Sequence, residues 1–274
     1  MDIDTNTRLY GIFGHPVAHS LSPAMHNRAF AAMGYNGVYL AFDVADIGAA
    51  VDGGRALGLG GWSITIPHKV AVMPLLDEVD PVARNIGAVN TVVNQGGRLM
   101  GYNSDGLGAV AALTEKCVVE GRSVAVIGAG GAARAIAFCL KAAGARITIV
   151  NRSIDRGEAL ARDLDVPFLP LAEFSKPVYH VLVNTTAVGM TPLTDAVPVD
   201  ERMLVPEMTV MDIVYNPLKT RLLKTAARRG CTVVDGVAMF VYQGAFQFEC
   251  WTGMKAPVAL MRDTVMNLLG KRDD

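Results

Sequence analysis

No excess of charge of either sign marks this sequence: 25 Lys and Arg stand against 26 Asp and Glu in 274 residues, a formal net charge of −1. Such a balance gives no electrostatic reason to bind nucleic acid or an anionic membrane. Cysteine is scarce. Cys117, Cys139, Cys231 and Cys250 form no C-x-x-C pair and have no nearby histidine at ligand spacing, which agrees with a reducing compartment and leaves no expected metal site. The acidic start, Met1-Asp2-Ile3-Asp4, is not followed by an apolar run, so no secretory signal is read. Uncharged stretches such as Leu9–Asn27 are broken by His, Asn, Pro and Gly, and none reads as a membrane span. Internal repeats and low-complexity segments are absent too. What is present is 51% apolar residues, 28 glycines and a charged fraction of only 19%. That composition argues for an ordered, soluble protein with a sizeable core that handles something small; with the cysteine usage and the missing signal it reads as cytoplasmic, and a monomer or a homodimer is expected without the sequence choosing between them.

Short β-branched runs alternate with Ala/Leu-rich segments, the pattern of an α/β protein. In the first half, Leu9–Phe13, Val38–Phe42 and Trp62–Ile66 read as strands, separated by helices over Ser22–Met33 and Ile47–Leu57. The first helix is read as opened by Ser22 as cap and Pro23 at the first helical position. Ala88–Asn94 and Arg98–Tyr102 flank Gln95-Gly96-Gly97 and read as a hairpin. A second block carries strands at Ser123–Ile127, Arg146–Val150, Val178–Asn184, Thr209–Val214 and Thr232–Val234. Helices near Ala132–Ala143, Ile154–Asp163 and Thr220–Arg229 alternate with them, implying a parallel sheet covered on both faces. The tail, Met239–Gly270, reads as one or two helices with no strand to follow.

The strongest local motif is Gly128-Ala129-Gly130-Gly131-Ala132-Ala133, after a strand and at the opening of a helix, where a dinucleotide site needs it. Gly128 permits the tight turn, Gly130 lets the backbone approach a pyrophosphate, and Ala133 lets the helix sit close to the sheet. The helix start offers unpaired N–H groups to phosphate. An NAD site usually has Asp or Glu at the end of the second strand, to bond the ribose 2′-hydroxyl. Here the sequence has Asn151-Arg152-Ser153, with Arg156 one turn later. Guanidinium groups suit a 2′-phosphate, so NADP is the expected cofactor; exposed, solvated arginines in a helix-cap segment are the alternative.

Three polar clusters lie where strands or turns end: His15–Pro23, Ser63–Lys69, and Gly87–Thr91 together with Gly101–Gly106. Taken singly, each has a structural explanation. Ser22 would cap a helix, Lys69 would be a solvated lysine, and Asp105 would cap the helix after Gly106.

Taken together they resemble shikimate dehydrogenase. The motifs are His19-Ser20-Leu21-Ser22-Pro23, Thr65-Ile66-Pro67-His68-Lys69, Gly87-Ala88-Val89-Asn90-Thr91, Asn103-Ser104-Asp105-Gly106, Gly128–Ala132, Asn151-Arg152-Ser153, Asn184-Thr185-Thr186 and Asp235-Gly236…Met239…Gln243. They stand in the family's order over nearly the whole chain. The resemblance implies an NADP-linked, reversible reduction of 3-dehydroshikimate to shikimate in aromatic amino-acid (chorismate) biosynthesis. It implies Lys69 and Asp105 as the catalytic pair. Ser20 and Ser22 would hold the substrate carboxylate, and Thr65, Asn90, Asp105, Tyr215 and Gln243 the ring hydroxyls. The cofactor would lie on Gly128, Ala129, Gly130, Gly131, Ala132, Asn151, Arg152, Ser153 and Arg156, with Ile213 and Gly236 near the nicotinamide. A substrate domain of 1–105 completed by helices in 238–274, a Rossmann domain of 106–237, and a cleft between them are implied as well.

The chemistry agrees with those residue types. Hydride delivery to a ketone creates negative charge on oxygen, so a proton donor must stand beside it, and Lys69 can serve in both directions. Asp105 would orient the ammonium by a charge-assisted bond. A polyol acid demands many hydrogen bonds, which explains Ser, Thr, Asn and Gln in place of an apolar pocket. Two positions depart from the family: Ser63 stands where many members have Asn, and Ser104 where many have Thr. The five histidines are read as loop or capping residues. A quinate or aminoshikimate dehydrogenase of the same family is the alternative reading, and a non-catalytic NADP-binding sensor is the alternative of another class.

Overall fold

Strand β1 (Arg8–Gly14) pairs in parallel with β2 (Gly37–Asp43) on one side and β3 (Gly61–Ile64) on the other. The crossovers are α1 (Ser22–Ala32) and α2 (Ile47–Ala56). This computed structural model describes residues 3–176 and 178–273; Met1, Asp2, Pro177 and Asp274, which include part of the acidic start and the outer limits of the expected domains, lie outside the described residues. After β4 (Glu78–Val79) and α3 (Pro81–Ile86), strands β5 (Thr91–Gln95) and β6 (Arg98–Tyr102) form the expected hairpin. Its turn is Gly96-Gly97, with φ of 63° and 96°. Two successive positive φ values match the twist of the flanking strands, and glycine takes both without steric cost. The sheet order is β2-β1-β3-β5-β6-β4, with β5 antiparallel to both its neighbours.

The second sheet is entirely parallel. Its strands are β7 (Ser123–Ile127), β8 (Arg146–Asn151), β9 (Phe168–Pro170), β10 (Val181–Asn184), β11 (Thr209–Asp212) and β12 (Thr232–Val234). They lie in the order β12-β11-β10-β7-β8-β9, the doubly wound Rossmann arrangement. Side chains alternate between faces, so Val124 and Val126 join one core and Ala125 and Ile127 the other. The first core is covered by α4 (Asp105–Thr114), α5 (Gly131–Ala142) and α6 (Ile154–Leu164), the second by α7 (Arg221–Arg228). Two helices follow, α8 (Gly236–Thr252) and α9 (Val258–Asp273). The chain divides into one unit of Met1–Ser104 with Gln243–Leu268 and another of Asp105–Tyr242 with Leu269–Asp274.

Several local expectations are corrected. The third strand stops at Ile64, short of Ile66, because the Thr65 carbonyl accepts the His68 amide (2.9 Å) in a turn and Pro67 has no N–H to give. Residues 88–90 are not strand; Val89 N–H goes to the Lys69 carbonyl instead (2.8 Å). Ser22 is not the cap of α1: Leu21 holds that position, and the Ser22 amide donates to Ser20 Oγ at 3.2 Å. Asp105 is the first helical residue of α4 rather than its cap. Strand β9 has only three residues and ends at a proline, too short a pattern to be read from sequence.

His26 is neither a loop nor a capping residue. It lies on α1, fully buried, its ring stacked on Tyr39 at 4.5 Å, with no hydrogen-bond partner on either ring nitrogen among the described residues. Burial pushes its pKa down to about 3 from an ordinary 6.5. Below pH 6.5 the unfolded chain takes up a proton that the folded chain refuses, so stability falls as pH drops from 6.5 toward 3. We predict that His26→Phe removes this dependence: between pH 6.5 and about 5 the wild type loses about 2 kcal/mol more than the variant in urea unfolding. Parallel losses in the two proteins would show that His26 is not held neutral.

Candidate active site

Strand direction gathers the polar residues of the first unit. The carboxyl ends of parallel β1 and β3 lie together, with Phe13 opposite Ile64. Because β5 is antiparallel to β3 and β6, its amino end joins that same edge, as does the carboxyl end of β6. Ser20 and Ser22 therefore follow β1, Thr65 and Lys69 follow β3, and Asn90 precedes β5. The edge is tied by backbone bonds: Thr65 N–H to Phe13 O (3.0 Å), Ile64 N–H to Asn90 O (2.8 Å) and Asn90 N–H to Tyr102 O (3.0 Å). Gly14 has to be glycine, since a Cβ there would stand 2.2 Å from Thr65 Cγ2. Ser22 and Asn90 are buried, whereas Ser20, Thr65 and Lys69 are half-buried. His68, next to Lys69, is held by the Val44 carbonyl at 2.7 Å from Nε2.

Asn90 is the most constrained side chain of this edge. Its Oδ1 accepts from Ser104 N–H (2.8 Å), Ser104 Oγ–H (3.1 Å) and Thr91 Oγ–H (2.7 Å). Three donors on the carbonyl fix which way the amide is turned, so Nδ2 is the group on the other side. Ser104 Oγ also lies 3.5 Å from Gln243 Oε1, a long contact that brings Gln243 of α8 to the same cluster.

In the second unit, the glycine turn sits between β7 and α5. Gly128 has φ of +121°, and a Cβ there would stand 2.5 Å from Thr185 Oγ1, so only glycine fits. At Gly130 and Gly131 an added Cβ would meet nothing within 4 Å, leaving open space in front of the α5 amino end. That end carries no side-chain cap: Gly130 is its N-cap, and Ala129 and Ala132 complete the turn. Ala133 is fully buried against the sheet. At the end of β8, Asn151 Nδ2 donates to Ser153 O (2.8 Å) and shapes the turn into α6. Arg152 and Arg156 are exposed, and neither has a side-chain hydrogen bond or ion pair among the described residues. These features fit a dinucleotide with an extra phosphate on its ribose.

A buried polar group braces the strand ends of this unit. Asp212, at the end of β11, is fully buried, and burial raises its pKa. It accepts from Asn184 Nδ2 (2.9 Å), Val214 N–H (3.1 Å) and Thr220 Oγ–H (2.7 Å). Sequence reading missed Asp212 and Thr220; the one available signal was an acid inside a predicted apolar strand. Gly236, at the start of α8, presses on the backbone after β11, where a Cβ would meet Ile213 O at 2.5 Å. Tyr215 follows, its ring 5.3 Å from that of Phe240. Asp105 occupies the first turn of α4, and burial, then its charge, raises the Cys139 thiol to about 11. The described residues contain no cluster of three or more His, Cys, Asp or Glu able to hold a metal, and no helix long and apolar enough to cross a membrane.

Fold and site together define a two-unit α/β protein in which a Rossmann sheet carries a dinucleotide turn and a mixed sheet carries a hydroxyl- and amide-rich edge. Family models match in three stretches: the shikimate dehydrogenase substrate binding domain over 12–92, shikimate/quinate 5-dehydrogenase over 111–213, and the shikimate 5′-dehydrogenase C-terminal domain over 236–266. The chain belongs to the shikimate dehydrogenase family. The shikimate dehydrogenase (NADP(+)) of Symbiobacterium thermophilum is 50% identical over 96% of this chain and 95% of its own. A crystal structure of a shikimate dehydrogenase with NADP+ has TM-score 0.94 at 40% identity, covering 98% of each chain. The Thermus thermophilus shikimate 5-dehydrogenase with NADP(H) and shikimate has TM-score 0.89 at 37% identity, covering 95% of this chain and 99% of its own.

The unpartnered arginines generate a prediction. Arg152→Asp is expected to weaken NADP+ binding relative to NAD+ by at least about tenfold, measured as the ratio of the two dissociation constants. An unchanged ratio contradicts the assignment of Arg152 to a phosphate.

Proposed function

We propose that this chain catalyses the reversible, NADP-linked reduction of 3-dehydroshikimate to shikimate. The observation that carries the reading is the 50% identity to shikimate dehydrogenase (NADP(+)) over nearly the whole of both chains. Support also comes from the hydroxyl- and amide-rich edge of the mixed sheet, suited to a polyol acid, and from the exposed arginines after β8. Four free cysteines support a reducing, cytoplasmic setting.

In this proposal, Ser20 and Ser22 hold the substrate carboxylate through their hydroxyls, while Thr65, Asn90, Tyr215 and Gln243 bind the ring hydroxyls. Asn90 does so through Nδ2, because Oδ1 is committed to Ser104 and Thr91. Gly128–Ala132 and the amino end of α5 hold the pyrophosphate; Asn151, Arg152, Ser153 and Arg156 hold the 2′-phosphate end; Ile213 and Gly236 flank the nicotinamide. Bound NADPH supplies the hydride, and NADP+ accepts it in the reverse direction. Lys69 gives a proton from Nζ to the carbonyl oxygen during reduction and takes it back during oxidation. Asp105 orients that ammonium and grips a neighbouring hydroxyl. Quinate is the competing substrate, since the matching family model spans both shikimate and quinate 5-dehydrogenases.

Lys69→Ala is expected to lower kcat by at least ~10²-fold with little change in KM for shikimate, as loss of a proton donor would. Asp105→Ala is expected to damage both parameters, because that residue holds substrate as well as lysine. A near-wild-type kcat for Lys69→Ala contradicts the proton-donor role.

A further inference from the structure

Ser63 is buried on β3, and its hydroxyl is one link in a buried chain of hydrogen bonds. Tyr39 Oη–H donates to Ser63 Oγ (2.7 Å), and Ser63 Oγ–H donates to Gln247 Oε1 (2.9 Å). Gln247 lies on α8 and is 1% exposed. Its Nε2 donates to Thr91 Oγ1 (3.1 Å) and to Asn90 O (3.2 Å). Both ends of the amide are therefore used. A hydroxyl that accepts from an N–H keeps its own proton to give, and Thr91 gives it to Asn90 Oδ1 at 2.7 Å. The chain of donors runs one way, from Tyr39 through Ser63 and Gln247 to the Asn90 carbonyl.

We propose that Gln247 is a positioning residue for substrate. By fixing the Thr91 proton on Oδ1, it restrains the Asn90 amide with Nδ2 on the opposite side, and Ser63 in turn fixes the Gln247 amide. The inference rests on the reading of Asn90 as a ligand for a shikimate hydroxyl. A flipped Asn90 would turn Nδ2 toward the Ser104 amide donor, which the buried cluster cannot satisfy. A merely structural glutamine would matter to folding alone, so the test must separate the two roles.

Gln247→Met keeps the length of the side chain and removes its hydrogen bonds. The expected result is a rise of about tenfold in KM for shikimate, with kcat within about threefold and KM for NADP+ unchanged. Ser63→Ala removes the hydroxyl that donates to Gln247 Oε1; it is expected to raise KM for shikimate about threefold or more with kcat unchanged, and it carries the test if Gln247→Met cannot be purified. A wild-type KM in Gln247→Met with only a lowered Tm overturns the proposal, as does a wild-type KM in Ser63→Ala. If the wild type does not act on shikimate at all, the functional reading fails separately. The amide is then read directly by the side-chain NH2 resonances of Asn90 in 15N-labelled protein. They should be a single sharp pair in the wild type and broadened or doubled in Gln247→Met; identical spectra overturn the proposal.

Discussion

The side-chain carbonyl of Asn90 is the constraint on which the polar edge of the mixed sheet depends. Three donors converge on it, from Thr91 on β5 and from the backbone and hydroxyl of Ser104 after β6. That convergence requires β5 to run antiparallel, because only then does its amino end lie beside the carboxyl ends of β1 and β3. A purely parallel sheet would offer strand ends and helix starts there. The reversed strand adds a buried polar residue whose amide orientation is decided by the fold itself, the kind of preorganisation that lowers the cost of binding a ligand.

The two units solve recognition by different means. The Rossmann unit presents backbone: a glycine turn, an uncapped helix start and open space where side chains would stand. Beside them stand two exposed arginines, Arg152 and Arg156, after β8. Such a site reads phosphate charge and tolerates variation elsewhere. The mixed-sheet unit presents side chains, nearly all neutral donors and acceptors, held by a network whose members satisfy one another. Buried polar groups are costly when unpaired, so a network of this kind discriminates by leaving partners stranded when a hydroxyl is missing.

Much of this was legible in the sequence, for physical reasons. The parallel strands are short apolar runs with helices between them, a pattern with one good architectural solution, and Gly96-Gly97 announced its turn by residue type. The polar motifs were visible because they fall at strand ends. Other features carried no local signal. Gln247 is one polar residue on a mostly apolar helix, and its importance arises only where α8 meets β3 and β5. Asp212 is likewise a lone acid whose partners, Asn184 and Thr220, are separated along the chain. His26 reads from sequence, like the other histidines, as a loop or capping residue, and only tertiary burial makes it a neutral aromatic. Ser22 resembled a cap because serine before proline usually is one; the chain placed the helix start one residue earlier in the pattern.

The most direct measurement is the rate of NADPH formation by the wild-type chain with NADP+ and either shikimate or quinate, followed by absorbance. The account predicts turnover of shikimate with kcat/KM at least about tenfold above that for quinate, because an edge built to satisfy one set of hydroxyls penalises another. Turnover of quinate in preference to shikimate, or of neither, would contradict it.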